Sequence, residues 1–304
     1  MNKANRGVAV FAAVLVIALL AAFLGGGFSP SLPNSPYIAV INITGTISED
    51  DGATYNQAWL LNTIEDLTYD SANRGILLYV DSPGGTVYES DEAYLALMDY
   101  KKATERPIIA YIASTGCSGA YYISCAADEI YANRNALTGS IGVIMGSSID
   151  LTGLMDKLGI KSTTIHAGKN KNMFSYDEPV TAEQAAIMQS IADESYEQFT
   201  QIVAESRGMD LAEVQKLADG RVYTARQAVS NGLIDSIVRD LDEAGQKLCA
   251  HYDINYDRTD FITYSYEADT TYLDRLLGIS ADNAALKTIN ALSDFGAYYY
   301  AYSF

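Results

Sequence analysis

Residues 115–122 read TGCSGAYY, which sets a thiol, Cys117, directly beside a hydroxyl, Ser118, among residues too small to cover them. Either side chain can be the nucleophile of an acyl transfer, but each needs a base to take its proton. A cysteine is usually paired with histidine, whereas a serine works with histidine or lysine. The choice turns on which bases the rest of the chain supplies. Only two histidines exist, His166 and His251. His251 falls in an acidic C-terminal stretch, a poor place for a catalytic base. His166 ends an apolar run, where a lone histidine is usually structural. Lys169 and Lys171 follow in the loop AGKNKNMFS at 167–175. A lysine acts as a base when burial lowers its pKa enough to leave a neutral amine. A loop lysine is otherwise an ordinary solvated charge.

A second stretch, VDSPGGTVYES at 80–90, has an apolar strand running into Pro83, Gly84 and Gly85 just before a helical pattern. Proline fixes such a turn, and glycines let backbone approach a ligand closely. Amide N–H groups at a strand-to-helix turn can point at an anion, as an oxyanion hole requires. The stretch around Ser118 repeats the design: an apolar strand, then STGCSG, then a helical AYYISCAA. There the N–H of Gly119 would face the same anion. Together the two turns read as an acyl-transfer site.

The elements that position these turns alternate. Strands are expected at 38–43, 76–80, 108–113, 130–132, 142–145 and 162–166, and helices at 56–69, 87–104, 120–126, 151–158, 182–207 and 211–217. Nearly continuous apolar strands between helices predict an α/β fold with a parallel sheet covered on both faces. The charge is lopsided, 38 acidic against 20 basic residues, or −18. That argues against nucleic acid as a partner, since phosphate contacts rest on Lys and Arg patches. The three cysteines, Cys117, Cys125 and Cys249, lack metal-ligand spacing, so no metal is expected.

At the N-terminus, Lys3 and Arg6 precede an uncharged run over 8–24. Those residues span about 25 Å as a helix, close to the minimum for a bilayer. Basic residues on the short side predict a cytoplasmic N-terminus with the bulk of the chain outside. No clean A-x-A site follows, so an uncleaved anchor is preferred to a cleaved signal peptide. The organisation expected is a cytoplasmic start and transmembrane anchor (1–27), a linker (28–36), a catalytic domain (37–240) and an acidic, Tyr-rich C-terminal extension (241–304). The terminal tyrosines Tyr298, Tyr299, Tyr300 and Tyr302 would suit a docked aromatic strip or a peptide mimic in the protein's own groove.

SPGG at 82–85, SGAYYISCAAD at 118–128, LTGSIGVIM at 137–145, the G-x-x-K loop at 168–171 and DGRVYTARQAVSNGLID at 219–235 together resemble the signal peptide peptidase A family. The resemblance covers about 200 residues, from Tyr37 to Asp235. It implies a ClpP/crotonase-like fold of repeated β-β-α units, a membrane-anchored serine endopeptidase with a Ser-Lys dyad, and assembly into homo-oligomeric rings or domes. Carried over, it makes Ser118 the nucleophile, Lys171 the general base, Ser140 the hydroxyl that holds the lysine amine, and the N–H groups of Gly85 and Gly119 the oxyanion donors. Ala120 and Cys117 depart from the family's usual Gly and Ala, but both are small. No cofactor is implied. The partners are hydrophobic peptides such as released signal peptides, met on the extracytoplasmic face of the cell membrane. Two other readings share the fold: a catalytically weak scaffold that binds peptides or membrane proteins, and a crotonase-type acyl-CoA enzyme. The anchor speaks against the latter.

Overall fold

The computed structural model describes residues 35–49 and 54–266, together with the short strand Tyr299–Tyr300. The expected anchor and nearly all of the expected linker lie outside the described residues. Among the described residues no helix is long and apolar enough to cross a membrane.

The described elements begin with β1 (Tyr37–Ile47), α1 (Gln57–Tyr69), β2 (Asn73–Thr86), α2 (Val87–Thr104), β3 (Ile108–Cys117) and α3 (Gly119–Ser124). Two short strands, β4 (Glu129–Asn133) and β5 (Leu137–Gly139), follow. The helices α4 (Thr152–Leu158), α5 (Ala182–Arg207) and α6 (Leu211–Leu217) come next. After them stand β6 (Val222–Thr224), α7 (Ala225–Ser230), β7 (Ser236–Val238), α8 (Leu241–His251), β8 (Asp260–Tyr264) and β9 (Tyr299–Tyr300).

The sheet runs β6-β5-β3-β2-β1-β8, with β4 and β7 branching from β3. It is parallel except at β5–β6 and β2–β9. This is the mixed α/β architecture with a parallel-rich sheet that the alternating pattern predicts. β1 is apolar at successive positions because both its faces are buried. Ile38 and Val40 pack with Leu77, Ile109 and Leu248 on one side, while Ala39, Ile41 and Ile43 face Leu60, Leu97 and Ile123 on the other.

Three expectations need correction. Residues 142–145 and 162–166 form no strand. The first is preceded by β5, which already fills the edge beside β3; the second is exposed, Ile165 to 95 %. The fold also does not stop at 240: β8 pairs with β1 from Tyr37↔Asp260 to Ile41↔Tyr264, and Ala244 and Leu248 of α8 are buried in the second core. The acidic character of this stretch resides on the outer face of α8, which concealed its amphipathic core face.

Candidate active site

Ser118 is held by a change of partner in the middle of the sheet. β3 follows β2 as far as Val80↔Ile112, and the next pair is Ser82↔Gly116. Three residues of β3 therefore oppose one of β2, a bulge that redirects the strand. The Asp81 carboxylate accepts the Thr115 N–H at 3.1 Å and pins it. Over its first half β3 pairs with β4; beyond the bulge it pairs with β5, through Cys117↔Gly139.

Ser118 follows at once, with φ 55° and ψ −122°, and caps α3. That region is nearly closed to residues with a side chain and costs about 1–3 kcal/mol. Its amide donates to the Gly139 carbonyl at 2.8 Å, and its carbonyl accepts from the Tyr122 N–H at 2.9 Å. A serine forced into a strand-to-helix turn of this kind is the arrangement of a nucleophile elbow. Cys117, one residue earlier, belongs to the strand and to the core. Burial pushes its thiol up to about 12, opposed only in part by a hydrogen bond with the Gly116 backbone. Since the thiolate is the reactive form, Cys117 is inert near neutral pH.

The glycines close around this turn. A Cβ on Gly84, where φ is +104°, would stand 2.9 Å from the Ser118 Cβ and 2.8 Å from the Gly119 nitrogen. One on Gly119 would lie 3.3 Å from the Gly85 nitrogen, and one on Gly85 would strike the Ile47 carbonyl at 1.8 Å. The backbone of Gly119 is thus brought against the Gly85 nitrogen next to the serine, and a side chain at Gly84 or Gly85 would strike backbone. Ser82 steadies the first turn by accepting the Gly84 N–H at 3.1 Å. A serine beside two such amide donors can do acyl transfer with an oxyanion intermediate once a base takes its proton.

Ser140 directly follows Gly139, the residue that holds the Ser118 amide, so the two serines flank one junction. It too has a positive φ, 51°, and it is 6 % exposed. Its amide donates to the Arg221 carbonyl at 2.9 Å. It lines a cleft of about 370 Å³ with Val143, Tyr196 and Asp219.

The lysines are not brought to this junction within the chain. Lys171 is exposed and has no hydrogen bond to Ser118 or Ser140 and no ion pair among the described residues. Its amide donates to the Gly168 carbonyl at 3.1 Å, in a turn where Gly168 has φ +96°. Lys169 instead pairs with Glu183 at 2.5 Å. Neither histidine substitutes: His166 is exposed with Nδ1 3.0 Å from the Gly168 carbonyl, and His251 pairs with Glu129 at 2.7 Å.

Three residues with a part in this geometry lack a role in the sequence reading: Asp81, Ser82 and Ser90. Ser90 lies on α2, donates to the Thr86 carbonyl at 2.7 Å and presses on Gly119. Its spacing of four from Thr86 is the only sequence signal for it.

The profile of peptidase family S49 matches residues 100–255. A protein of Enterococcus faecium named as a signal peptide peptidase SppA is 39 % identical over 198 residues, 65 % of this chain and 57 % of that one. A protein of Synechocystis sp. named as a protease is 35 % identical over 201 residues, 66 % of this chain and 69 % of that one. The chain thus spans little more than half the length of the first of these relatives. Among solved structures, a mutant form of a membrane-bound stomatin-specific protease, 1510-N, has a TM-score of 0.50. It is 15 % identical and covers 78 % of this chain and 100 % of that one, a likeness of fold.

Proposed function

The chain belongs to peptidase family S49, and we propose that it is a serine endopeptidase acting on hydrophobic peptides such as released signal peptides, with Ser118 as nucleophile and Lys171 as general base. The observation that carries the proposal is the Ser118 turn: a serine at φ 55° beside the paired amides of Gly85 and Gly119. Neutral Lys171 takes the Ser118 proton as Oγ attacks the scissile carbonyl. The two amides stabilise the oxyanion, each worth about 3–4 kcal/mol of barrier. Lys171 then returns the proton to the leaving amine, and water hydrolyses the acyl-enzyme by the same route in reverse. Ser140 accepts or donates at the amine to orient it.

Because Lys171 is exposed and apart from Ser118 within one chain, the dyad needs a further step, and homo-oligomer formation supplies one. The segment that carries the lysine has several uncovered apolar side chains: Ile149, Leu154, Leu158, Ile160 and Ile165 are each more than half exposed. Apolar surface of that extent is normally covered by a partner. Burial there also gives the lysine the desolvation it needs. The basic N-terminus and the apolar run over 8–24 support a single-pass anchor in the cell membrane with the catalytic domain on the extracytoplasmic face.

The separation of Lys171 from Ser118 also favours a second reading, a peptide- or membrane-protein-binding scaffold of the same fold. Hydrolysis of an internally quenched hydrophobic peptide separates the two. The peptidase reading expects turnover that Ser118→Ala abolishes. Binding without turnover in the assembled protein would leave the scaffold.

A further inference from the structure

We infer that Glu89 is a positioning residue for the oxyanion donor at Gly85, acting through the hydroxyl of Thr86; this rests on the peptidase reading of Ser118. Residues 86–89 have the T-x-x-E spacing of a capping box at the start of α2. Related Thr-x-x-Gln spacings open α5, with Thr181 and Gln184, and α7, with Thr224 and Gln227, and in both the box is formed. At Thr86 it is not. The threonine makes no cap bond to the helix backbone, and its hydroxyl donates instead to the Glu89 carboxylate. The box that departs from the pattern is the one that begins immediately after Gly85.

The turn before Thr86 holds two consecutive glycines, Gly84 and Gly85, whose backbone has little stiffness of its own. Upstream, Ser82 accepts the Gly84 N–H at 3.1 Å. Downstream, the Thr86 hydroxyl lies 3.4 Å from the Ile47 carbonyl, the same carbonyl that a Cβ on Gly85 would strike. A hydroxyl has one proton, and the carboxylate is the stronger acceptor for it. Thr86 is thereby fixed between the first turn of α2 and the end of β1. The direction in which the chain leaves Gly85 is fixed with it. Glu89 is braced in turn by α1. Gln57 donates to the Glu89 carbonyl at 3.3 Å and to the Glu92 carboxylate at 2.8 Å, and it accepts from the Tyr55 hydroxyl. Thr86, Glu89, Gln57 and Tyr55 are each less than a tenth exposed. A buried carboxylate is a poor source of stability, since desolvation opposes its hydrogen bonds. What it supplies here is a single rotamer of Thr86, and through it a single placement of the Gly85 amide.

The test measures hydrolysis of a quenched hydrophobic peptide by the full chain and by Glu89→Ala, Glu89→Gln, Thr86→Val, Thr86→Ser and the double variant Thr86→Val/Glu89→Ala. Full loss of an oxyanion donor costs about 10²–10³ in kcat, so a displaced one should cost about tenfold or more, with KM within about twofold. That loss is expected in both Glu89→Ala and Thr86→Val. Glutamine keeps an acceptor oxygen and serine keeps the hydroxyl, so Glu89→Gln and Thr86→Ser should each recover most of it. The double variant should be no worse than either single one, because both changes cut the same link. Should Glu89→Ala not fold, the Thr86→Val and Thr86→Ser pair decides the same point. Hydrogen exchange in the Ser118→Ala background adds a readout that needs no turnover. Residues 82–88 should exchange at least fivefold faster in Glu89→Ala than in Glu89→Gln, with 108–117 unchanged. Wild-type kcat in Glu89→Ala, or Glu89→Gln as impaired as Glu89→Ala, would overturn the inference and leave the peptidase reading standing. Faster exchange spread equally over 108–117 would do the same, since a merely structural carboxylate would give it. No turnover by the wild-type chain would remove the peptidase reading and overturn the inference with it.

Discussion

Gly119 offers the most direct handle on how the oxyanion donors are held. In Gly119→Ala the new methyl would lie 2.2 Å from the Ser90 Oγ and 3.2 Å from its Cβ. Two responses compete. If Ser90 rotates away, it gives up its bond to the Thr86 carbonyl, a loss of about 1 kcal/mol. Gly to Ala in a helix returns about 0.5–1 kcal/mol, so stability and activity would hardly change. If Ser90 cannot move, α3 must, and the Gly119 amide leaves its place beside the Gly85 amide. Ser90 is fully buried, beneath the first turn of α2, so it has little room to rotate. We therefore expect kcat for peptide hydrolysis to fall by about 10²–10³, the cost of one oxyanion donor, with KM little altered. Ser90→Ala removes the oxygen at 2.2 Å and leaves the tolerable contact at 3.2 Å. The double variant Ser90→Ala/Gly119→Ala should regain at least tenfold of the lost kcat. A double variant as inactive as Gly119→Ala, with Ser90→Ala alone unimpaired, would refute this account of the donor's position.

Gly85→Ala should be inactive with no rescue, because its obstacle is the Ile47 backbone at 1.8 Å rather than a side chain; steady-state kinetics with a melting curve checks it. Cys117→Ala should retain activity, and intact Cys117 should resist iodoacetamide at pH 8 in the native protein. Burial holds the Cys117 and Cys125 thiols at about 12 against an ordinary 9.0. The unfolded chain releases those protons above pH 9 while the native chain keeps them. Their contribution to stability is therefore full below pH 9 and is lost as pH rises towards 12, at no more than about 1.4 kcal/mol per thiol per pH unit. Denaturant titrations across that range should show a shallower decline in Cys117→Ala, and equal slopes would contradict it. Arg207→Ala should destabilise by about 2 kcal/mol in a urea melt, the loss of charged hydrogen bonds. The guanidinium side chain, 6 % exposed, forms a bidentate pair with Asp235 at 2.7 and 3.0 Å, and its removal would leave that carboxylate, a third exposed, with only the Ile130 N–H as partner.

The α/β architecture was legible because its long elements announce themselves through period and burial. The strand β3 and the helices α2 and α5 carry apolar patterns that end in recognisable turns, and β2, β3, α2 and α3 frame the Ser118 and Gly85 turns. Short edge strands were not legible. β5, β6 and β7 have three residues each, too few for any period, and they exist because β3, β4 and β5 expose edges to pair with. The runs 142–145 and 162–166 have strand composition but no edge to join. Of the site, the turn bearing Ser118 and the glycines at 85 and 119 were legible from residue type. The bulge before Ser118 was not, since it depends on register between β2 and β3. Nor was the exposure of Lys171: adjacency in space to Ser118 is a property of tertiary and quaternary placement that spacing along the chain does not encode.

The central claim is that Ser118 is a nucleophile activated by Lys171, and one labelling experiment addresses it. The assembled protein is treated with a serine-directed fluorophosphonate, and the adduct is mapped by peptide mass spectrometry in wild type, Lys171→Ala and Lys169→Ala. The account predicts an adduct on Ser118 in wild type and Lys169→Ala that is lost in Lys171→Ala. An adduct that persists without Lys171, or one found on Cys117, would contradict it.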